Sequence, residues 1–322
     1  MRELMFQEDA GQRLDKYLQK YLKLAPKSFL YRMLRKKNIV LNGKKADGSE
    51  KLKQGDVIRL YLSDETLEKF REEDRSYPVW PDLEIVYEDR QVLMVNKPAG
   101  MLSQKAAPED VSLNEYLVGY LLAGGQVTRE SLAGFTPGVC NRLDRNTSGL
   151  VIGAKTLGAA QEIGRLLKER QAGKYYLALV KGTIRRGERI QGWLVKDRKK
   201  NQVTVSREPA EGGAPIETAY EPLASNGTMT LLKVELVTGK THQIRSHLAG
   251  TGHPLAGDAK YGDAAFNRYF RERYRLNSQF LHSWKIEFPA MDAPFDALSR
   301  RTVTAEPPEL FRKILQAEGL EY

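Results

Sequence analysis

The chain has 322 residues, and its 51 lysines and arginines against 41 aspartates and glutamates give a formal net charge of +10 at pH 7. No stretch is long and apolar enough for a transmembrane helix, and residues 1–9 lack the apolar core of a signal peptide, so we expect a cytoplasmic protein that does not enter a membrane. The single cysteine, Cys140, excludes a disulfide framework and a cysteine-based zinc site.

The positive charge is concentrated in the first fifth of the chain. Residues 1–62 carry 15 basic and 7 acidic side chains, a net charge of +8, whereas residues 63–79 carry 3 basic and 6 acidic ones. A compact basic module attached to a nearly balanced body is typical of a protein that binds a polyanion. Nucleic acid is therefore the expected partner, with a membrane surface as the alternative.

The basic module, residues 1–62, is predicted to contain two helices followed by a small hairpin-like sheet. Apolar residues recur at helical spacing from Gln12 to Leu22, and Pro26 ends this helix because proline disfavours a helical residue before it. A second helix is expected from Ser28. Strands are predicted at 39–41 and 57–62, and an Asn42-Gly43 turn follows the first of them.

This module resembles the RNA-binding domain known from ribosomal protein S-four. The resemblance lies in the motif Arg13-Leu14-Asp15-Lys16-Tyr17-Leu18, the basic second helix, and the later phrases Val40-Leu41-Asn42-Gly43 and Leu52-Lys53-Gln54-Gly55-Asp56. In that domain the basic helix face contacts RNA phosphates. The resemblance implies four RNA contacts here, with a merely solvated amphipathic helix pair as the alternative: Lys27, Arg32, Arg35 and Lys36.

Residues 63–79 are acidic and polar without an apolar period, which predicts a linker. Residues 80–322 are predicted to form the second domain. Strand-like segments outnumber helical ones there and do not alternate regularly with them, so we expect an α+β fold with a mixed, mainly antiparallel central sheet flanked by helices, rather than a doubly wound parallel sheet. The expected strands are 83–87, 92–96, 149–154, 175–180, 202–205, 216–220 and 230–237, and the expected helices are 113–122, 157–170, 242–248, 264–274 and 309–319.

The run from Asn141 to Gly149 places one carboxylate, Asp144, between Arg142 and Arg145 in a segment rich in turn-forming residues. Flanking cations favour the ionised form of a carboxylate, and such an aspartate could act as a nucleophile. For an isolated motif, the more common interpretation is a surface turn whose polar side chains cap backbone groups.

Four further segments change that interpretation. They are Asn96–Gly100, Lys174–Gly182, Thr241–His247 and Gly257–Gly262. Together with the Asp144 run they resemble the motifs of the RluA-type pseudouridine synthases, a family that isomerises uridine in structured RNA. The resemblance extends from Gln12 to the end of the chain. It implies a monomeric enzyme that acts without metal or cofactor on structured RNA, with large-subunit ribosomal RNA as the expected substrate.

The resemblance also implies roles for individual residues. Asp144 would be the catalytic carboxylate, and it would attack the ribose, attack the base or abstract a ribose proton. Arg245 would be its ion-pair partner, which orients the carboxylate and favours its ionised form. Tyr176 would stack on the flipped base, and Arg142 would enter the space that the extruded base leaves. The alternatives are a helix-surface role for Arg245 and core packing for Tyr176.

The chain departs from the family pattern at Asn141, where the family usually has histidine. An asparagine keeps hydrogen-bonding capacity but does not titrate near neutral pH, which puts a proton-transfer role at this position in doubt. Asp258 and Tyr261 are expected to support the site and not to act in it.

Three other functions are disfavoured. Gly239-Lys240-Thr241 follows a strand like the end of a phosphate-binding loop, but Val234 stands where the first glycine is required. His242 and His247 are five positions apart, which points them to different sides of a helix and argues against a metal centre. A catalytically silent RNA-binding factor is disfavoured because Asp144, Arg245 and Tyr176 are present together.

Overall fold

The computed structural model describes residues 1–6, 11–70, 77–197 and 202–321. The basic N-terminal module contains two helices and a four-stranded sheet with the strand order β1-β4-β2-β3. Strand β1, which the sequence pattern does not predict, pairs antiparallel with β4. The elements are β1 (Arg2–Met5), α1 (Leu14–Tyr21), α2 (Lys27–Arg35), β2 (Ile39–Leu41), β3 (Lys44–Lys45) and β4 (Val57–Leu60).

Both helices of this module bury one apolar face. Leu14 and Leu18 of α1 pack with Leu30 and Leu34 of α2 in one core. α1 ends at Tyr21, earlier than the break that the sequence predicts at Pro26, and Pro26, with φ −59° and ψ 143°, is the extended residue before α2. The opposite face of α2 stays in solvent and carries the basic side chains.

The segment predicted as a linker contains a helix, α3 (Asp64–Phe70). Leu67 is buried in the N-terminal core, and the ring of Phe70 lies 4.6 Å from that of Phe29. The sequence contains no signal for this helix, because two apolar residues in a mainly charged stretch leave no sustained period. Residues 71–76 of the segment lie outside the described residues, and the domain boundaries stay a prediction.

The second part of the chain is built on one large sheet with the strand order β11-β10-β12-β13-β9-β14-β8-β6-β5, to which β15 and β7 add by pairing with β14 and β8. Its strands are β5 (Ile85–Glu88), β6 (Val92–Lys97), β7 (Gly138–Val139), β8 (Ser148–Ala154), β9 (Gly173–Lys181), β10 (Glu188–Asp197), β11 (Gln202–Ser206), β12 (Ala214–Ser225), β13 (Met229–Leu236), β14 (Leu281–Glu287) and β15 (Thr302–Thr304). Its helices are α4 (Leu113–Ala123), α5 (Arg129–Gly134), α6 (Leu157–Lys168), α7 (Gln243–Gly250), α8 (Ala264–Tyr274) and α9 (Glu309–Ala317), with a 3-10 turn at Asp296–Leu298.

The predicted α+β class with a mixed, mainly antiparallel sheet is confirmed. Each expected strand and helix of this region corresponds to an observed one, with ends that differ by a few residues. Side-chain caps set several of these ends: Thr156 Oγ1 accepts the Ala159 N–H at the start of α6, and Asp263 accepts the Phe266 N–H at the start of α8. Strands β10 and β14 are the main additions to the prediction.

Strand β14 makes the one parallel pairing among the described strands, with β8. Every residue of β8 is buried. Gly149 has φ +108°, and a Cβ atom there would lie 2.2 Å from the carbonyl oxygen of Ser283. Glycine is therefore required for the close approach of the two strands, directly after the loop that carries Asp144.

The N-terminal module packs against the second part of the chain through α1 and α5. A Cβ atom on Gly134 would lie 2.9 Å from the ring of Tyr17, and the Lys20 ammonium lies 5.9 Å from the centre of the Phe135 ring. Within the described ranges, no helix is long and apolar enough to span a membrane.

Candidate active site

Asp144 lies in the loop between β7 and β8, where the Thr147 N–H donates to its carbonyl oxygen at 3.0 Å. The loop is tied down on both sides of the aspartate. Ser103 Oγ accepts the Leu143 N–H and donates to the Leu143 carbonyl, each at 3.0 Å. The Asp144 side chain itself is 25% exposed. A carboxylate on a fixed loop is thus open to solvent on one side.

Lys97 holds the same loop through its buried ammonium group. Its ammonium is fully buried and donates to the carbonyl oxygens of Pro98, Met101 and Arg145 at 2.8, 2.9 and 3.1 Å. Burial lowers the pKa of Lys97 to about 7, and the negative charge of Asp144 acts in the opposite direction. Three carbonyl acceptors match the three protons of an ammonium, which favours the charged form. The motif Asn96–Gly100 therefore holds the Asp144 loop through this lysine.

Arg245 comes from α7 and reaches Asp144 across 101 positions of the chain. Its Nη1 donates to Asp144 Oδ2 at 2.8 Å, and the arginine side chain is only 7% exposed. Burial alone would lower the pKa of Arg245, but the hydrogen bonds and charges of Asp258 and Asp144 raise it overall. The guanidinium therefore stays cationic beside the carboxylate.

Asp258 holds the other side of this guanidinium. Its fully buried carboxylate accepts Arg245 Nε at 2.7 Å and Nη2 at 2.9 Å, and also the N–H groups of Lys260 and Tyr261 at 2.9 and 3.1 Å. Burial would raise the pKa of Asp258, but Arg245 and the two backbone donors lower it below its usual value. An ionised Asp258 thus fixes the plane of Arg245.

His242 approaches Asp144 from the residue before α7. Its Nε2 lies 3.8 Å from Asp144 Oδ2, and its Nδ1 lies 2.9 Å from the hydroxyl of Tyr261. From its sequence context this histidine is a candidate metal ligand only, and its position beside the carboxylate is not predicted. The sequence signal for it is weak: His242 lies three positions before Arg245, but it precedes the helix and so does not share a helix face with that arginine.

Tyr176 lies on β9 and is 5% exposed. Burial raises the pKa of its phenol to about 12, a rise that the Ser283 hydroxyl reduces and the charge of Asp144 increases. Tyr176 borders the same depression as Asp144, whereas the ring of its neighbour Tyr175 lies 4.8 Å from the Lys285 ammonium. The strand alternation therefore brings Tyr176, and not Tyr175, to the site.

These residues surround a small depression that is open to solvent. Its lining combines apolar side chains with one carboxylate and several cations, so the depression suits a flat, polar ring attached to an anionic backbone. Within the described parts of the chain, no three His, Cys, Asp or Glu side chains are grouped to hold a metal ion. The lining consists of Arg142, Leu143, Asp144, Thr147, Tyr176, Leu236, Lys240, His242, Gln243, Ile244, Arg245 and Leu281.

Arg142 is exposed at the edge of the depression, where its guanidinium is open to solvent. Asn141 has a different environment, because its amide Oδ1 accepts the Ile152 N–H at 2.7 Å and its Nδ2 donates to the Leu150 carbonyl at 3.3 Å. This residue is therefore engaged with the backbone of β8, which gives the asparagine a role in holding the loop.

The basic residues predicted on the N-terminal module are all exposed, and none of them lines the depression. Lys27, Arg32 and Arg35 lie on α2, and Lys36 follows its last turn. The guanidinium of Arg32 lies 5.6 Å from the centre of the Phe29 ring. The structure thus separates a basic helix surface from the carboxylate site.

The chain matches two known sequence families. The profile of the RNA pseudouridylate synthase family matches residues 91–250, and the profile of the S4 domain matches residues 12–58. The first match contains Asp144, Tyr176 and Arg245. The second contains α1, α2, β2, β3 and the start of β4.

Similar proteins span nearly the whole chain. The ribosomal large subunit pseudouridine synthase C of Vibrio vulnificus is 32% identical over 96% of this chain and 93% of its own length. The protein of the same name from Escherichia coli K12 is 33% identical over 87% of this chain and 86% of its own length.

Solved structures share the fold. The human RNA pseudouridylate synthase domain containing 4 superposes with a TM-score of 0.60 at 19% identity, covering 74% of this chain and 94% of its own. The human RNA pseudouridylate synthase domain containing 1 has a TM-score of 0.50 at 24% identity, covering 78% of this chain and 98% of its own.

Proposed function

The chain belongs to the RNA pseudouridylate synthase family, and from that premise we propose that it isomerises uridines of large-subunit ribosomal RNA with Asp144 as the catalytic carboxylate. The reaction breaks the bond between ribose carbon 1 and the base nitrogen and forms a bond from that ribose carbon to ring carbon 5. Atoms are conserved, so the enzyme has to supply a positioned carboxylate, a hold on the detached base and an extracted target nucleotide.

One observation carries the assignment of Asp144. Its Oδ2 accepts Arg245 Nη1 at 2.8 Å, while Oδ1 accepts no hydrogen bond within the described part of the protein. A carboxylate held by one oxygen and open at the other has a fixed direction and an available lone pair. This geometry serves attack on the ribose, attack on the base and abstraction of a ribose proton alike.

The positions of Tyr176 and Arg142 suit the binding of RNA with an extruded uridine. The Tyr176 ring borders the depression from within the sheet, where it offers a flat surface to a pyrimidine. Arg142 stands at the exposed edge, where a planar cation can stack in the RNA at the position the base has left. We assign Tyr176 to contact with the extruded base and Arg142 to the position in the RNA helix that the base has left.

The exposed basic face of α2 supports RNA binding outside the depression. Lys27, Arg32, Arg35 and Lys36 all reach solvent, and the S4 domain profile covers them. Phosphate contacts there would add affinity without reading the target base. The names of the similar bacterial proteins support large-subunit ribosomal RNA as the substrate.

The test compares Asp144→Asn with wild-type protein and with Asp292→Asn, a matched change at an exposed aspartate outside the depression. Each protein is incubated with unmodified large-subunit ribosomal RNA and, separately, with transfer RNA, and pseudouridine is mapped chemically. We expect Asp144→Asn to bind RNA and form no pseudouridine, while Asp292→Asn matches wild type.

Two results would contradict the proposal. Wild-type rates of pseudouridine formation by Asp144→Asn would remove the assignment of the carboxylate. Modification of transfer RNA alone by the wild-type protein would remove the assignment of the substrate and leave that of the carboxylate intact.

A further inference from the structure

A chain of polar contacts runs from strand β11 to the carboxylate. The Val203 N–H donates to the hydroxyl oxygen of Tyr261 at 2.9 Å. That hydroxyl lies 2.9 Å from His242 Nδ1, and His242 Nε2 lies 3.8 Å from Asp144 Oδ2. The three groups therefore join a backbone donor to the proposed catalytic carboxylate.

The direction of these contacts fixes the proton on His242. A backbone N–H can only donate, so Tyr261 accepts from Val203 with its hydroxyl oxygen. Its hydroxyl hydrogen is then available for His242 Nδ1, and we take Nδ1 as the acceptor because the Tyr261 hydroxyl has no other acceptor within the described residues. In a neutral imidazole the proton consequently sits on Nε2, the nitrogen that faces Asp144.

The surroundings hold the imidazole in this orientation. His242 has φ +53°, a left-handed conformation that is uncommon outside glycine, and its side chain is only 9% exposed. The imidazole meets the Tyr261 ring edge-on with centres 5.6 Å apart, and the Arg245 guanidinium lies 5.2 Å from the centre of that ring. A residue kept in a left-handed backbone conformation by its neighbours is typical of a functional position.

We propose that His242 is a positioning residue, whose Nε2–H serves as the second donor to Asp144 beside Arg245. The inference rests on the proposed role of Asp144. The 3.8 Å separation shortens to a hydrogen bond when the target nucleotide fills the depression, since contacts of this kind are often long before substrate binds. Tyr261 acts one step further away by selecting the tautomer.

The charge state of His242 follows from the groups that face it. Burial lowers the pKa of His242, the charge of Asp144 raises it, and the charges of Arg245 and Lys260 lower it again, with a smaller opposing effect of Asp258. The overall direction is downward, so the imidazole is neutral at pH 7. A neutral donor orients the carboxylate without adding a second positive charge, which would weaken its reactivity toward the nucleoside.

The first measurement is the tautomer itself. Nitrogen NMR of the full-length protein labelled at histidine should show His242 neutral at pH 7, with its proton on Nε2. In Tyr261→Phe the preference of the His242 proton for Nε2 should be lost. Tyr269→Phe serves as the matched control, because the Tyr269 hydroxyl contacts Glu318, outside the depression. A proton on Nδ1 in the wild-type protein would overturn the proposal.

The second measurement separates a donor at Nε2 from one at Nδ1. In His242→Gln the amide N–H can reach the place of Nε2, whereas in His242→Asn it reaches only the place of Nδ1, and asparagine tolerates the left-handed backbone well. We expect His242→Gln to keep most of the single-turnover rate and His242→Asn to lose about tenfold of it, with RNA affinity unchanged in both. Wild-type rates in both variants, or equal loss in both, would overturn the proposal.

These outcomes are independent of the test on Asp144. A fully active Asp144→Asn would remove the proposed function while leaving the tautomer of His242 as measured. A wrong tautomer would remove the role of His242 while leaving Asp144 as the carboxylate.

Discussion

Asp258 engages Nε and Nη2 of Arg245 at 2.7 and 2.9 Å, which leaves Nη1 as the nitrogen that contacts Asp144. A guanidinium held on two of its three nitrogens cannot rotate without breaking a buried ion pair. Asp258, which does not contact Asp144, therefore fixes the guanidinium that orients the Asp144 carboxylate.

Replacing Asp258 by asparagine should damage both folding and catalysis. The change removes the buried carboxylate that pairs with Arg245 and leaves only the partly exposed Asp144 as its charged partner, so we expect a loss of about 3–5 kcal/mol in the free energy of unfolding. The freed guanidinium should also lower the single-turnover rate by about 100-fold. Urea titration and pseudouridine assays check the two effects, and a fully active, stable variant would contradict the ion-pair argument.

Arg245→Lys should retain the charge but lose the geometry. A lysine ammonium cannot engage both oxygens of Asp258 and reach Asp144 in one plane. We expect RNA affinity near the wild-type value and a single-turnover rate that falls by about 100-fold. Binding and single-turnover assays on the same preparation separate these quantities, and an unchanged rate would show that charge alone suffices.

Gly149→Ala should destabilise the protein, because its Cβ would lie 2.2 Å from the Ser283 carbonyl at a φ of +108°. Overpacking and left-handed strain together predict a loss of about 3 kcal/mol or more in the free energy of unfolding. Gly164→Ala is the control, since this exposed residue of α6 has nothing within 4 Å of its Cβ position. That variant should gain about 0.5–1 kcal/mol, and equal behaviour of the two would refute the close approach.

Acid should destabilise the fold through His282. Its Nε2–H donates to the Ala305 carbonyl at 3.0 Å, so Nδ1 accepts from Ser148 Oγ at 2.9 Å and the imidazole is neutral. Burial lowers the pKa of His282 to about 4. An unfolded histidine has a pKa of about 6.5, so this contribution is complete above that pH and declines as the pH falls toward 4.

The loss from His282 should approach about 3 kcal/mol of unfolding free energy at pH 4, since each pKa unit corresponds to about 1.4 kcal/mol. Urea titrations across this range measure it. His282→Gln should be less stable at neutral pH but should show a flatter pH dependence. An equally steep dependence in that variant would assign the effect to other groups.

RNA binding should depend on salt through the basic face of α2. The double change Arg32→Ala and Lys36→Ala removes two exposed cations, which should reduce the slope of log affinity against log salt by about 2. The control removes Lys168 and Arg312, two exposed cations on α6 and α9. Equal slopes in the two double variants would show that this face does not contact phosphate.

The sequence predicts which motifs form one site, but it predicts only part of the contacts between their side chains. The pairing of Arg245 with Asp144 follows from the family resemblance, and the helix that carries the arginine follows from its period. The contact of His242 with Tyr261 could not be predicted, because it depends on the left-handed turn before α7 and on the loop after it.

Strand β14 was missed for a related reason. Its sequence begins Leu-His-Ser-Trp-Lys, which has no clear alternation of apolar and polar residues. His282 and Ser283 are nevertheless buried, since Ser148, Ala305 and Leu150 supply hydrogen-bond partners from distant parts of the chain. A polar segment whose partners are remote looks like a loop until those partners are known.

The parallel pairing of β8 with β14 also bears on how the enzyme is made. It brings together Ser148 and His282, which are 134 positions apart, next to the loop that holds Asp144. During synthesis Asp144 emerges long before Arg245, and β14 emerges later still. A growing chain therefore carries its carboxylate without the strand that supports it, and contacts between such distant segments form slowly. Activity should therefore appear only after nearly the entire polypeptide has been released. Pseudouridine in the RNA would then indicate that the enzyme has finished folding.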